Sequence, residues 1–317
     1  MKRDLGIVMD PIGSISIKKD STFAMMLAAQ RRGWRLWYME LGDLSLTPEY
    51  CLARMRQVEV EDCADPWWQF GVEQIRPLSE LSAVLMRKDP PFDMEYIYAT
   101  YLLEQAQEAG TLVVNDPRTL RDANEKVFTA RFPDCCPPLL VTRSAADIAA
   151  FLSIHGDMVL KPLGGMGGMS IFRVRAGDPN LNVIVETLTD QGRRFCMVQR
   201  HIPEIALGDK RILLIDGEPV PYALARIPAP GETRGNLAVG ASAEGRSLSE
   251  RDQAIAAAVG PELRRRGVLF AGIDVIGDYL TEVNITSPTC IRELDALYGL
   301  DIAANLMVTI EEKLGDQ

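Results

Sequence analysis

Apolar positions along this chain switch repeatedly between the period of a strand and that of a helix. Leu5 to Asp10 is a short, nearly unbroken apolar run, and it predicts a buried strand. Ser21 to Arg32 shows helical spacing and stops at Gly33. Trp34 to Met39 then predicts a second strand. Ala83 to Arg87, a helix from Asp93 to Ala109, and Leu112 to Asn115 continue the alternation. Strands separated by helices predict a largely parallel α/β sheet. Pro117 closes this unit, so an N-terminal α/β domain is expected over 1–122.

From Val141 to about Gln199, strands alternate with two helices, the second near Leu181 to Asp190. This predicts a small α+β lid within 123–200. A C-terminal α+β unit over 201–317 follows. In it Arg211 to Ile215 and Pro221 to Ile227 flank Asp216-Gly217, a hairpin signal. Ser249 is placed to cap a helix reaching Gly267, which Pro261 should kink. A last helix is expected from Asp295 to Leu314. Pro228 to Gly245, reading PAPGETRGNLAVGASAEG, is long and glycine-rich, the pattern of a mobile functional loop. No internal repeat is evident.

Two segments carry candidate chemistry. FAGIDVIGDYLTEVNITSPTCIRE, from Phe270 to Glu293, contains two strands around Gly277-Asp278. Glu282 and Asn284 are two apart and share a strand face. Asp274 joins that face if the hairpin loop has an odd number of residues, such as Gly277-Asp278-Tyr279. A two-residue loop would pair it with Thr281 instead. Two carboxylates and an amide oxygen on one face suit magnesium shared with substrate phosphates. A plain polar hairpin face is the alternative. The second segment, DMVLKPLGGMGGMS from Asp157, runs from a strand through Lys161 into Gly164, Gly165, Gly167 and Gly168. Backbone N–H groups of such a loop cradle anions, and the lysine adds a point charge. No Gly-Lys-Ser/Thr follows, and strand-like MSIFRV follows where a dinucleotide motif has a helix. A flap over phosphates is expected.

Composition narrows the partners. The chain has 317 residues, enough for two or three subdomains, with 47% hydrophobic and 25% charged residues. A net charge of -10 argues against nucleic acid or an anionic membrane as partner, so anionic substrates must be drawn by local Lys and Arg. No apolar run is long enough to cross a membrane, and MKRDLGIVMD lacks a signal-peptide core; a cytoplasmic protein is expected. The six cysteines form no Cys-x-x-Cys and read as reduced thiols. Only two histidines, His155 and His201, are present, which disfavours histidine-based catalysis or metal binding.

The chain resembles the prokaryotic glutathione synthetase family of the ATP-grasp superfamily. The resemblance rests on IKKDSTFAMMLAAQRRG from Ile17, LMRKDPPFD from Leu85, LRDANEK from Leu120 and LKPLGGMGG from Leu160. It continues through GDKRILLIDGEPVPYALARIP from Gly208, GETRGNL from Gly231 and LTEVNITSPTCIRE from Leu280. It spans nearly the whole length. Departures are Gly164 where the family usually has Asp, VQRHIPE where Gln-Asn-Tyr is frequent, and Ser242 where a basic residue often sits.

The resemblance implies an ATP-grasp fold with an N-terminal parallel α/β substrate domain, a lid and a C-terminal α+β domain. It implies ATP-dependent joining of γ-glutamylcysteine to glycine through an acyl phosphate, giving glutathione, ADP and phosphate. Magnesium, replaceable by manganese, and a homo-oligomer, a tetramer in the family, are implied too. It assigns Lys126 and Lys161 to ATP phosphates under Gly165, Gly167 and Gly168. Gln199, Arg200, His201 and Ile202 would line adenine and Asp209 the ribose. Asp274, Glu282 and Asn284 would hold the metal. Arg211 and Arg226 would face the reacting groups, with Arg234 and Asn236 closing from the mobile loop. Substrate contacts are expected from Arg87, Ser14, Asn284, Ser287 and Arg292. Another ATP-grasp carboxylate–amine ligase, or a catalytically silent nucleotide-binding module, are the competing readings.

Overall fold

The computed structural model describes residues 3–62, 65–165, 167–229 and 242–315. Three sheets organise it. In the first, β1 (Asp4–Val8) lies parallel to β2 (Arg35–Met39) and to a later strand, Ala83–Met86. Every residue of β1 is buried, as its unbroken apolar run requires. Helix α1 (Ser21–Arg31) starts where the Asp20 carboxylate accepts from Phe23 N at 2.6 Å, and the chain turns away at Gly33, φ +80°. The sheet continues on its other flank through β3 (Leu44–Leu46), β4 (Cys51–Val60) and β5 (Trp68–Pro77), all antiparallel. Sequence periodicity had assigned nothing between Glu40 and Ser82, where this hairpin lies. β6 (Ala83–Met86), α2 (Met94–Glu108), β7 (Leu112–Val114) and α3 (Pro117–Asp122) complete the unit.

The second sheet has the order β10-β9-β11-β8 and is antiparallel throughout. It comprises β8 (Leu139–Thr142), β9 (Asp157–Pro162), β10 (Phe172–Arg175) and β11 (Cys196–Arg200). Helices α4 (Ala145–His155) and α5 (Leu181–Thr189) cover one face, burying Ile148, Leu160, Val185 and Val198 in a core of its own.

The third sheet runs β14-β13-β12-β15-β16. It is formed by β12 (Asp209–Ile215), β13 (Glu218–Ile227), β14 (Ser242–Ser247), β15 (Phe270–Ile276) and β16 (Tyr279–Asn284). The β12–β13 turn is the two-residue Asp216-Gly217, both with positive φ. A Cβ at Gly217 would meet Gly260 O at 2.5 Å, so only glycine lets this turn sit on helix α6 (Glu250–Arg265). That helix begins with a Ser249–Asp252 capping box and runs on past Pro261 as one element. The single C-terminal helix expected over 295–314 is instead two, α7 (Ile291–Tyr298) and α8 (Ile302–Gly315). Gly299 in the left-handed region separates them. Ser242 to Gly245, expected as loop, pair with β13 (Leu224 opposite Gly245). The remainder of the expected loop, with Arg234 and Asn236, lies largely outside the described residues. Among the described residues, no helix is long and apolar enough to cross a membrane.

Candidate active site

A cavity of about 360 Å³ opens between the second and third sheets, bounded by the loop after β6. Its floor is the β15–β16 hairpin. The turn there is only two residues, since Ile276 pairs with Tyr279, so the parity condition for Asp274 is not met by an odd loop. A bulge restores the parity. Val275 opposes Leu280 while Asp274 opposes Glu282, leaving Thr281 as the extra residue. The Thr281 hydroxyl donates to Asp274 O at 3.1 Å and pins the bulge. Asp274 and Glu282 thereby share a face, as the hard-cation reading required.

β12 lies beside β15 with Arg211 opposite Asp274, and β13 brings Arg226 opposite Asp209. Arg211 grips Asp274 with both prongs, Nε to Oδ1 at 2.5 Å and Nη2 to Oδ2 at 2.9 Å. Arg226 Nη2 bridges Asp274 Oδ2 at 2.9 Å and Asp209 Oδ2 at 2.6 Å. All three side chains are more than nine-tenths buried. Burial alone would raise the Asp274 carboxyl. The two guanidiniums outweigh it and hold the group far below the usual carboxylate range.

Two lysines face this hairpin. Lys126 Nζ touches Glu125 Oε1, donates to Gly165 O at 2.9 Å and stands 3.6 Å from Glu282 Oε1. Lys161 reaches in from β9, buried, and makes no ion pair among the described residues. Burial pushes its ammonium down, with the Glu282 charge opposing. Burial and the Glu282 charge push the Glu125 carboxyl up to about 7. Lysines 126 and 161 with arginines 211 and 226 thus face Glu125, Asp209, Asp274 and Glu282, a balanced set in which Lys161 is the cation left for an incoming anion.

The β9–β10 connection, with Gly165, Gly167 and Gly168, forms one wall. Gly167 and Gly168 have φ of +63° and +76°, conformations that glycine adopts without strain. Opposite Val159 and two residues from Met197, the partner of Lys161, Gln199 shares the Lys161 face. Buried polar atoms without partners cluster here: Gln199 Nε2, Arg200 Nε, His201 Nε2 and Asp209 Oδ1. Each residue lines the cavity. An unmet buried polar atom costs about 1–3 kcal/mol, so four in one wall point to a polar ligand that pairs them.

Ser287 lines the cavity, and its hydroxyl donates to Arg87 O at 3.2 Å. Arg87 lies behind that wall, its Nη2 donating to Pro288 O at 3.0 Å and its Nε to Thr22 Oγ1 at 3.1 Å. It is 6% exposed and forms no ion pair with Asp89 or Asp93. Two expected substrate residues lie elsewhere. Ser14 is exposed on a short helical turn, donating to Pro11 O at 2.6 Å. Arg292 pairs with Asp62 at 2.9 Å and sits over the Phe23 ring. Each found a local partner that sequence spacing does not reveal. Conversely, Glu125 was overlooked, although it stands beside Lys126 in the LRDANEK motif.

Carboxylates, an amide oxygen and the unpaired Lys161 around one cavity match what a divalent cation and polyphosphate require. The Asn284 amide nitrogen donates to Asp274 Oδ2 at 3.3 Å; turned over, it would reach Glu125 Oε2 at 3.0 Å. Such hard-oxygen donors at the cavity floor fit magnesium.

Solved structures share this architecture. D-cycloserine synthetase DcsG superposes with a TM-score of 0.69 at 16% identity, covering 98% of this chain and 99% of that one. D-alanyl-alanine synthetase A from Vibrio cholerae gives 0.62 at 13% identity, covering 99% and 98%. The fold is that of the ATP-grasp ligases. Residues 4–121 match the model of the prokaryotic glutathione synthetase N-terminal domain, and 125–299 that of its ATP-grasp domain. The glutathione synthetase of Vibrio cholerae serotype O1 is 61% identical over 310 residues, 98% of each chain. That of Escherichia coli O127:H6 is 58% identical over 313 residues, 99% of each. The chain belongs to the prokaryotic glutathione synthetase family.

Proposed function

We propose that this chain is an ATP-dependent ligase that joins γ-glutamylcysteine to glycine through an acyl phosphate, releasing glutathione, ADP and phosphate. The observation that carries the mechanism is the buried Arg211–Asp274–Arg226 clamp beside the uncompensated Lys161 in one cavity. A carboxylate needs activation before an amine can displace one of its oxygens. Attack of the dipeptide's C-terminal carboxylate on the γ-phosphorus of ATP forms one P–O bond and breaks the bond to ADP. The amine of glycine then attacks the acyl carbon, and phosphate leaves. Charge shifts onto phosphoryl and then acyl oxygens in these steps. Guanidinium forks already fixed by Asp274 meet that charge without reorganising.

In this reading Lys161 and Lys126 hold ATP phosphates under the glycine loop. Gln199 to Ile202 line the adenine and Asp209 takes the ribose, which pairs the orphan polar atoms of that wall. Magnesium, or manganese in its place, would be held by Glu282, Asn284 and Asp274; it supplies charge neutralisation across the phosphates. Ser287, Asn284 and Arg87 take the dipeptide, Arg87 receiving a substrate carboxylate because no carboxylate among the described residues forms an ion pair with it. A cytoplasmic location and a homo-oligomer belong to the same reading.

The test is isotopic. γ-Glutamylcysteine labelled with oxygen-18 in the C-terminal carboxylate should pass one label to released phosphate, with ADP as the nucleotide product. Unlabelled phosphate during turnover, or AMP with pyrophosphate, would rule out the acyl phosphate. Phosphate release with other amino-acid pairs, but not with dipeptide and glycine, would keep the mechanism and reject the substrates.

A further inference from the structure

We infer that Glu125 is a positioning residue: it holds the Lys126 ammonium off Glu282, leaving Glu282 for the divalent cation. The inference rests on the reading above that Glu282 binds that cation. Lys126 is 2% exposed, and burying an ammonium is costly unless a carboxylate offsets its charge. Within ion-pair distance it has two, Glu125 in direct contact and Glu282 at 3.6 Å. An ammonium in contact with Glu282 would occupy one of its oxygens and offset its charge, so it competes with a metal there.

Glu125 is fixed for the task. Its carbonyl accepts from Val283 N at 2.8 Å, which docks it onto β16 between Glu282 and Asn284. The Asn124 side chain accepts from Lys126 N and Val127 N, both at 3.1 Å, and fixes the turn on the other side. Gly165 O directs a second proton of the ammonium toward the glycine loop. Without the Glu125 charge, Glu282 becomes the only counter-ion among the described residues. A shift of about 1 Å would then bring Nζ into full contact with it. The cation would have to displace a bound ammonium.

The experiment measures metal–nucleotide coupling, the ratio of ADP affinities with and without saturating Mn2+, by calorimetry. Using a ratio removes the direct effect of Lys126 on phosphate binding. Glu125→Gln should lower the coupling about tenfold, the scale seen for groups that orient metal ligands. Lys126→Met should keep it, and the double variant Glu125→Gln/Lys126→Met should return to the Lys126→Met value. Wild-type coupling in Glu125→Gln overturns the inference, as does a double variant no better than Glu125→Gln, which would make Glu125 a ligand in its own right. Glu282→Gln separates the two readings. Unchanged coupling there overturns the cation site and this inference together, whereas lost coupling there with wild-type coupling in Glu125→Gln overturns this inference alone. Glu125→Asp keeps the charge but shortens its reach. It should lower the coupling in the same direction if the Gln variant does not fold.

Discussion

Replacing Asp274 by Asn removes the carboxylate on which two buried guanidiniums converge and keeps its volume. Arg226 retains Asp209 at 2.6 Å, whereas Arg211 has no other carboxylate within ion-pair distance among the described residues. Stripping one partner from a buried pair costs about 3–5 kcal/mol, because the remaining charge is left uncompensated in a poor solvent. In a chain of this size about 1 kcal/mol corresponds to roughly 2 °C of Tm. A fall of roughly 6–10 °C is expected by differential scanning calorimetry. Glu282→Gln is the comparison. Glu282 is partly exposed and its only ion-pair partner among the described residues is 3.6 Å away, so its Tm should stay within about 2 °C while turnover is lost. The contrast separates loss of the clamp, which only the Asp274 change brings, from loss of a cation ligand. A Tm for Asp274→Asn within about a degree of wild type would refute the claim that the two arginines depend on that carboxylate. The pH dependence has a definite sign. The folded Asp274 carboxyl titrates below its unfolded value, so its contribution is present above about pH 4 and fades as pH falls further.

Arg87→Met should raise KM for γ-glutamylcysteine at least tenfold with little loss of Tm, since the guanidinium is buried without a protein carboxylate; an unchanged KM would remove Arg87 from the substrate site. Asp295 is pushed up to about 6 by burial, so its carboxyl favours the fold at low pH and that contribution is lost as pH rises through about 6. Asp295→Asn can still accept from Ile302 N and should therefore stabilise the protein at pH 8 but not at pH 4, measured as Tm; equal effects at both values would contradict the shift.

Much of the site was legible because it is local in sequence. Gln199 to Ile202, the glycine loop after Lys161, and Glu282 with Asn284 are each a few residues on one element. The face they share follows from strand period alone. The bulge at Thr281 was not legible. Periodicity permits either parity, and only the pairing of β15 with β16 shows an extra residue taking the place of a longer loop. The fate of Arg292 was equally hidden, because Asp62, distant in the chain, pairs with it in space, whereas Ser14 turns back onto Pro11 O three residues before it.

By itself the sequence determined the α/β alternation, the strands and glycine-rich turn of the second sheet, and the set of residue types suited to phosphate and a hard cation. These depend on near-neighbour patterns of burial and backbone freedom. The tertiary structure alone decided which charges are spent on one another. Arg211 and Arg226 lie 15 residues apart and meet over Asp274, 48 residues further on from the second of them. Lys161, from another sheet, arrives with no ion-pair partner among the described residues. Long-range electrostatic pairing depends on distance and burial between segments brought together by folding, and neither quantity is written in the order of the residues.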